Sequence, residues 1–231
     1  MPWAVFKTPG SYYPLLKASN VYGYDTYAEQ VPVVCNSVLY PSGWTEYDPG
    51  SYVTVDGTSV TVTALPSNAS AYVYMDMIGR LLTGYRFAFK FECSLIDNGA
   101  YFGSIGVGNT LSDISSEAIS YVSIVLTSDG VNNSIFLIYY YVTGSVYDVY
   151  AGFPSDGTPV YLELYHMTGS DTVTLKICSD AAMTTILDVL SITHSDLSTI
   201  TFRYCYLARN VVDAGVPTKS VKVSDIIFQY L

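Results

Sequence analysis

The sequence predicts an all-β fold, a two-sheet antiparallel jelly-roll sandwich with an irregular N-terminal arm. Three observations carry the prediction. From Trp44 onward, about a dozen short runs alternate apolar and polar residues at period two, with turn residues between them. No stretch holds a helical period for longer than the single turn suggested by "SDAAMTT". The composition also suits strands: 23 of the 231 residues are tyrosine, and charged residues make up 13%, about half of the roughly 25% usual in soluble proteins.

The elements follow in chain order. Residues 1–40, including "GSYYPLLKASNVYGYDTYAEQ", lack sustained alternation and read as an arm that packs on a neighbouring subunit or back on its own sandwich. Residues 41–231 form the sandwich. Its strands begin with "SYVTV", "SVTVTAL" and "AYVYMDM". In "YRFAFKFEC", Tyr85, Phe87, Phe89 and Phe91 share one face against Arg86, Lys90 and Glu92. "YFGSIGVG", "AISYVSIVLT", "SIFLIYYYV" and "VYDVYA" continue the series. The stretch 160–180, "VYLELYHMTGSDTVTLKICSD", is a hairpin. One register unites its oily sets, with Leu164 opposite Leu175 and Leu162 opposite Ile177, and it sets Glu163 against Lys176 on the outer face. "TILDVLSI" follows, then "ITFRYCYLA", whose alternation sets Ile200, Phe202, Tyr204 and Tyr206 against Arg203 and Cys205, and finally "SVKVSDIIFQYL".

Charge and composition exclude several partner classes. The net charge is −10, and the ten Lys and Arg are scattered singly, so no basic stripe exists to displace phosphate counterions and no nucleic-acid partner is expected. No apolar run approaches the roughly 18 residues that span a bilayer, and the first residues lack the apolar core of a secretory signal. A polar but largely neutral surface without such a signal fits a particle component made in the cytoplasm and exposed later, as on a virion. Cys35, Cys93, Cys178 and Cys205 include no CxxC motif and read as free, partly buried thiols, with a Cys178–Cys205 bridge as the alternative.

Three passages together, "LLTGYRFAFKFEC", "VYLELYHMTGSDTVTLKICSD" and "STITFRYCYLA…SVKVSDIIFQYL", resemble the concanavalin A-like lectin/glucanase sandwiches, the group that includes laminin-G-like domains. The resemblance covers residues 44–231. It implies a long aromatic strand in one sheet, a hairpin that can face a ligand, and a closing strand that returns beside the first. It also implies that calcium could be held by oxygen ligands in loops such as "LIDNGAY" (Asp97, Asn98) and "LSDISSE" (Asp113, Glu117), where Asx turns explain the same residues.

The chemistry of that group's hydrolases is missing. Their acid–base pattern alternates carboxylates along one strand, whereas here only Glu46 and Asp48 stand two apart, in the turn-forming "WTEYDPG". His166 and His194 lie at a strand end and in a turn, without a nucleophile elbow or a metal-ligand spacing. No catalytic, cofactor or metal residue is therefore expected. The leading expectation is a non-enzymatic structural or attachment protein of a virion exterior, with protein subunits as partners and the arm mediating assembly. The alternative is a carbohydrate-binding module. The expected contact residues are Tyr139 and Tyr141, which share a strand face, and the outer hairpin row of Tyr161, Glu163, Tyr165 and Lys176.

Overall fold

The computed structural model describes residues 44–56, 59–65, 71–76, 82–94, 101–109, 120–128, 133–154, 157–209 and 218–231, together with the backbone of four short strands between residues 10 and 35. Those four are β1 (Gly10–Tyr12), β2 (Leu15–Asn20), β3 (Gly23–Ala28) and β4 (Val33–Cys35). They pair with one another, β1 with β4 and β2 with β3, as nested antiparallel ladders outside the two main sheets.

The remaining strands are β5 (Trp44–Tyr47), β6 (Val53–Val55), β7 (Ser59–Leu65), β8 (Tyr72–Asp76), β9 (Tyr85–Ser94), β10 (Tyr101–Gly108) and β11 (Tyr121–Ser128). After them come β12 (Asn133–Tyr141), β13 (Gly144–Ala151), β14 (Val160–His166), β15 (Thr172–Cys178), β16 (Ile186–Thr193), β17 (Tyr204–Arg209) and β18 (Thr218–Tyr230). They build two seven-stranded antiparallel sheets: β13-β12-β11-β10-β17-β8-β5, the first sheet, and β16-β15-β14-β9-β18-β7-β6, the second. Closing strand β18 lies between β9 and the early strand β7. Among the described residues, no helix is long and apolar enough to cross a membrane.

The core fills the space between the sheets. The second sheet contributes Phe87, Phe89 and Phe91 of β9, Leu162 and Leu164 of β14, and Val173, Leu175 and Ile177 of β15. The first contributes Ile135, Leu137 and Tyr139 of β12 and Val122, Ile124 and Leu126 of β11. Each such side chain, removed from water, stabilises the fold by roughly 1.5–3 kcal/mol before the entropy of ordering is counted. The hairpin adopts the expected register, Leu164 opposite Leu175, Leu162 opposite Ile177 and Glu163 opposite Lys176. On one side the two sheets are tied through Asp148 of edge strand β13, whose Oδ2 accepts the Ser191 N–H of edge strand β16 at 2.9 Å.

One local expectation needs correction, and two others can be settled. Past Arg203 the alternation inverts: Cys205 and Leu207 point into the core, while Tyr204 and Tyr206 face outward with Tyr74. The cause is an isolated bridge, Leu82 N to Phe202 O at 2.8 Å and Phe202 N to Leu82 O at 3.0 Å, which breaks the strand just before β17. "SDAAMTT" is a turn, in line with the single turn or short connection expected of it. Asp180 accepts from Thr184 N, Thr184 Oγ1 and Thr185 N, each at 2.8 Å, which holds its carboxyl well below the usual carboxylate range. A short 3₁₀ turn forms at Ser195–Ser198. Cys178 and Cys205 lie in different sheets, and Cys93, Cys178 and Cys205 are free and buried, so the free-thiol reading holds for these three and the alternative bridge does not form.

Candidate functional site

The expected contact residues occupy two places. Tyr139 and Tyr141 do share a face, but it is the inner one. Tyr139 is 0% exposed, its ring stacked on Tyr141 at 5.7 Å and tilted against His194 at 5.4 Å. Burial pushes its phenol up from the ordinary tyrosine value, and its ring packs in the core. Tyr161, Glu163, Tyr165 and Lys176 come together half-buried on the outer face of the second sheet.

The charges there are already engaged within the chain. Glu163 forms its ion pair with Arg86 of β9, not with Lys176. Lys176 Nζ donates to the carbonyl oxygen of Met183 at 2.7 Å, and Lys90 pairs with Glu92 at 3.1 Å. This face is a network of internal pairs.

The outer face of the first sheet differs in chemistry. Its strand register lines up Ser145, Tyr140, Tyr121, Gly108, Tyr204 and Asp76 in one row. The next row runs Tyr147, Ile138, Ser123, Gly106, Tyr206, Tyr74 and Thr45. Tyr72 and Tyr47 extend the pavement, Tyr47 stacked on Tyr72 at 4.8 Å. Tyr121 and Tyr140 stack at 4.5 Å. A Cβ at Gly108 would stand 3.1 Å from the Tyr206 ring and 3.0 Å from Tyr121 Cβ, so glycine lets those side chains close over β10. Among the residues whose side chains are described, the charged groups on this face are Asp76 and Arg203, joined to each other at 3.0 and 2.9 Å.

The middle of the pavement (Tyr121, Tyr204, Tyr206) is buried, and accessibility returns at the flanks. On the β11–β13 flank a cleft of about 270 Å³ opens between Val125, Thr127, Phe136, Ile138, Tyr140, Ser145 and Tyr147. Phe136 and Tyr147 meet at 53° and form angled walls, and Tyr147 is 64% exposed. The lining offers ring faces and hydroxyl groups and no charge, which suits a ligand with one apolar face and a hydroxylated edge.

Sequence reasoning missed this face. The available signal was the recurrence of tyrosine two apart, Tyr72 with Tyr74 and Tyr204 with Tyr206.

Catalytic groups are dispersed. Asp48 accepts from Tyr52 N at 2.9 Å and Val53 N at 2.7 Å in the turn expected of "WTEYDPG", whereas Glu46 lies on strand β5 opposite Val73, so the loop reading holds for Asp48 alone. His166 is buried on the inner face opposite Tyr85, with Nε2 2.8 Å from the Ser170 carbonyl oxygen. His194 Nδ1 accepts from Asp196 N and caps the 3₁₀ turn. Among the described residues, no three His, Cys, Asp or Glu side chains converge as a metal site. Asp97, Asn98, Asp113 and Glu117, the calcium candidates, lie outside the described residues.

No protein-family model matches the chain, and no curated protein matches it. Solved structures do. The carbohydrate recognition domain of Emp47p superposes with a TM-score of 0.57 at 8% identity, over 82% of this chain and 89% of that one. The enzymatically active domain of tailspike protein 2 from bacteriophage CBA120 gives 0.51 at 11% identity over 87% of this chain, which spans 30% of that domain's chain. Alginate lyase PA1167 from Pseudomonas aeruginosa gives 0.51 at 9% identity, over 80% and 88% of the two chains. At these identities the likeness is one of fold, and the fold is the concanavalin A-like β-sandwich.

Proposed function

We propose that the protein is a non-enzymatic attachment module of a virion exterior, and that the cleft on the outer face of β11–β13 holds an uncharged sugar ring. The observation that carries this reading is the lining of the cleft: Phe136 and Tyr147 supply angled aromatic walls, and Thr127, Tyr140 and Ser145 supply hydroxyls, without a charged group among them. A pyranose has that pattern in reverse, an apolar C–H face with hydroxyls at its rim. A carbohydrate recognition domain and a phage tailspike domain on the same fold make both halves of the reading reasonable by analogy of fold alone.

Hydrolysis is disfavoured by what the face carries. Glycoside hydrolases need two carboxyl groups about 5–9.5 Å apart. Among the described residues of this face the one carboxylate is Asp76, and Arg203 holds both of its oxygens. In this reading residues 1–40 contact a neighbouring subunit. Sedimentation of the full chain beside a chain starting at residue 41 tests that part, which fails if both have the same mass per particle.

A glycan array of neutral and acidic sugars tests the rest, read with the unaltered protein and with Tyr147→Ala. Retention of neutral glycans by the first and at least tenfold weaker retention by the second is expected. No retained glycan, or equal retention by both proteins, overturns the reading.

A further inference from the structure

We propose that the side of the sandwich formed by edge strands β13 and β16 is a self-association surface, and that it is covered by the same side of a second copy of this chain. Among the described residues ten large hydrophobic side chains are exposed, and five of them, Tyr147, Val149, Ile186, Leu187 and Val189, belong to these two strands. They line two lips. Tyr147 and Val149 face outward on the first sheet, opposite Ile138 and Phe136, and Val189 faces outward on the second, opposite Lys176. Between the lips Asp148 Oδ2 accepts the Ser191 N–H at 2.9 Å and draws the two strands together.

Strand addition is guarded against at this side. Asp148 Oδ1 accepts from Val149 N at 2.9 Å, Asp188 Oδ1 from Val189 N at 2.8 Å, and Asp148 Oδ2 from Ser191 N. Val189 and Ser191 stand two apart, as donors on one side of a strand do. Carboxylates therefore occupy backbone donors that an added strand needs, which protects an edge from ladder pairing. Contact through the apolar lips remains open.

Charge and area select the second copy. The chain carries −10, so two copies repel wherever their acidic surfaces meet. The charged residues of β13 and β16 are Asp148 and Asp188, which share the inward phase of Val146 and Leu190 and turn onto backbone N–H groups. The lips are thus uncharged, and a two-fold axis brings one apolar side against its equal. Strands of 8 residues run about 27 Å, and two sheets about 10 Å apart with a side chain on each lip span about 20 Å, or roughly 500 Å² per copy. The total of about 1,000 Å² reaches the lower bound of specific interfaces and implies a reversible dimer. This contact requires neither a sugar in the cleft nor residues 1–40.

Sedimentation equilibrium of the full chain tests it, with the unaltered protein and with Val149→Glu, Val189→Glu and Val189→Thr. Both valines are exposed, and threonine keeps the branched shape that suits a strand, so unchanged melting temperatures serve as the folding control. The mass per particle is expected to rise from one chain toward two between about 1 μM and 1 mM protein. Each glutamate should weaken the dimer roughly tenfold or more, because it places an unpaired charge in an apolar contact, and threonine should weaken it less. Salt should tighten the dimer several-fold, since the Debye length falls from about 30 Å at 0.01 M to about 8 Å at 0.15 M and screens two acidic chains from each other. A one-chain mass at every concentration overturns the proposal. So does a dimer unmoved by both glutamates, which puts the contact elsewhere, or one that loosens as salt rises, which marks an ionic contact.

Discussion

Glu163 faces two cations, and choosing between them tests the sheet order directly. The hairpin register places Lys176 opposite Glu163, yet the carboxylate pairs with Arg86 on the other neighbouring strand. The Glu163 side chain is 15% exposed and the Arg86 side chain 33%. At an effective dielectric of about 20, two unit charges 4 Å apart attract by about 4 kcal/mol, and desolvation cancels part of that. Exposed pairs are worth about 0.2–1 kcal/mol. An intermediate coupling of about 1.5–2 kcal/mol between Glu163 and Arg86 is therefore expected. For Glu163 and Lys176 we expect less than about 0.5 kcal/mol, because Lys176 is already held by the Met183 carbonyl.

The single changes should differ as well. Arg86→Ala strands the more buried partner and should cost about 2–3 kcal/mol, or roughly 4–12 °C in Tm for a domain of this size. Two double-mutant cycles read by urea denaturation separate the pairs. An absent Glu163–Arg86 coupling would refute the β9–β14 pairing, and a Glu163–Lys176 coupling equal to or above it would refute the choice of Arg86 as the partner.

Three further predictions rest on single positions. A Cβ at Gly106 would lie 2.0 Å from the Val122 carbonyl oxygen, a backbone atom that cannot step aside. Gly106→Ala should cost about 2 kcal/mol or more against the 0.5–1 kcal/mol that alanine normally gains in a strand, and an unchanged urea midpoint sinks the β10–β11 register there. Asp180 is a carboxylate whose folded value is depressed by its bonds to Thr184 and Thr185. Its contribution should be complete above the ordinary carboxylate range, about pH 4, and fade as pH falls toward its folded value. The Tm difference between the natural protein and Asp180→Asn should thus shrink from pH 5 to pH 2, and a difference that grows refutes the assignment. Burial pushes the Cys93 thiol up to about 12 and Cys205 well up. Neither should react with Ellman's reagent at pH 8 until the protein is unfolded.

Some of this was legible in the sequence because the two faces of a strand differed in residue class. In β14 and β15, leucine and isoleucine alternate with Glu163, Lys176 and Thr174, so one pairing alone buries the right set, and the structure has that pairing. In β9 the row of Phe87, Phe89 and Phe91 against Arg86, Lys90 and Glu92 gave the core face in the same way. The partner of Glu163 was not legible. Arg86 lies 77 residues away and is brought close by a long-range strand pairing, whereas Lys176 is fixed by a local turn. Alternation gives the phase of a strand and says nothing of its second neighbour.

Tyrosine marks where such reading stops. Tyr139 and Tyr147 sit on adjacent strands of one hairpin, the first fully buried and the second 64% exposed. Their register explains why: Tyr139 pairs with Val146 on the inner face, and Tyr147 pairs with Ile138 on the outer. A tyrosine carries an apolar ring and a polar hydroxyl, so either environment satisfies it, and its position reveals the face only when its neighbours do. At Tyr204 and Tyr206 even the neighbours mislead, because the Leu82–Phe202 bridge shifts the phase by one residue. The outer face of the first sheet draws on seven strands that each give it two to four outward-facing residues, so its chemistry exists only once the sheet order exists. A pavement of this kind can be read from sequence only after the strand pairing is known, and the Glu163–Arg86 coupling is the measurement that tests such a pairing without a ligand.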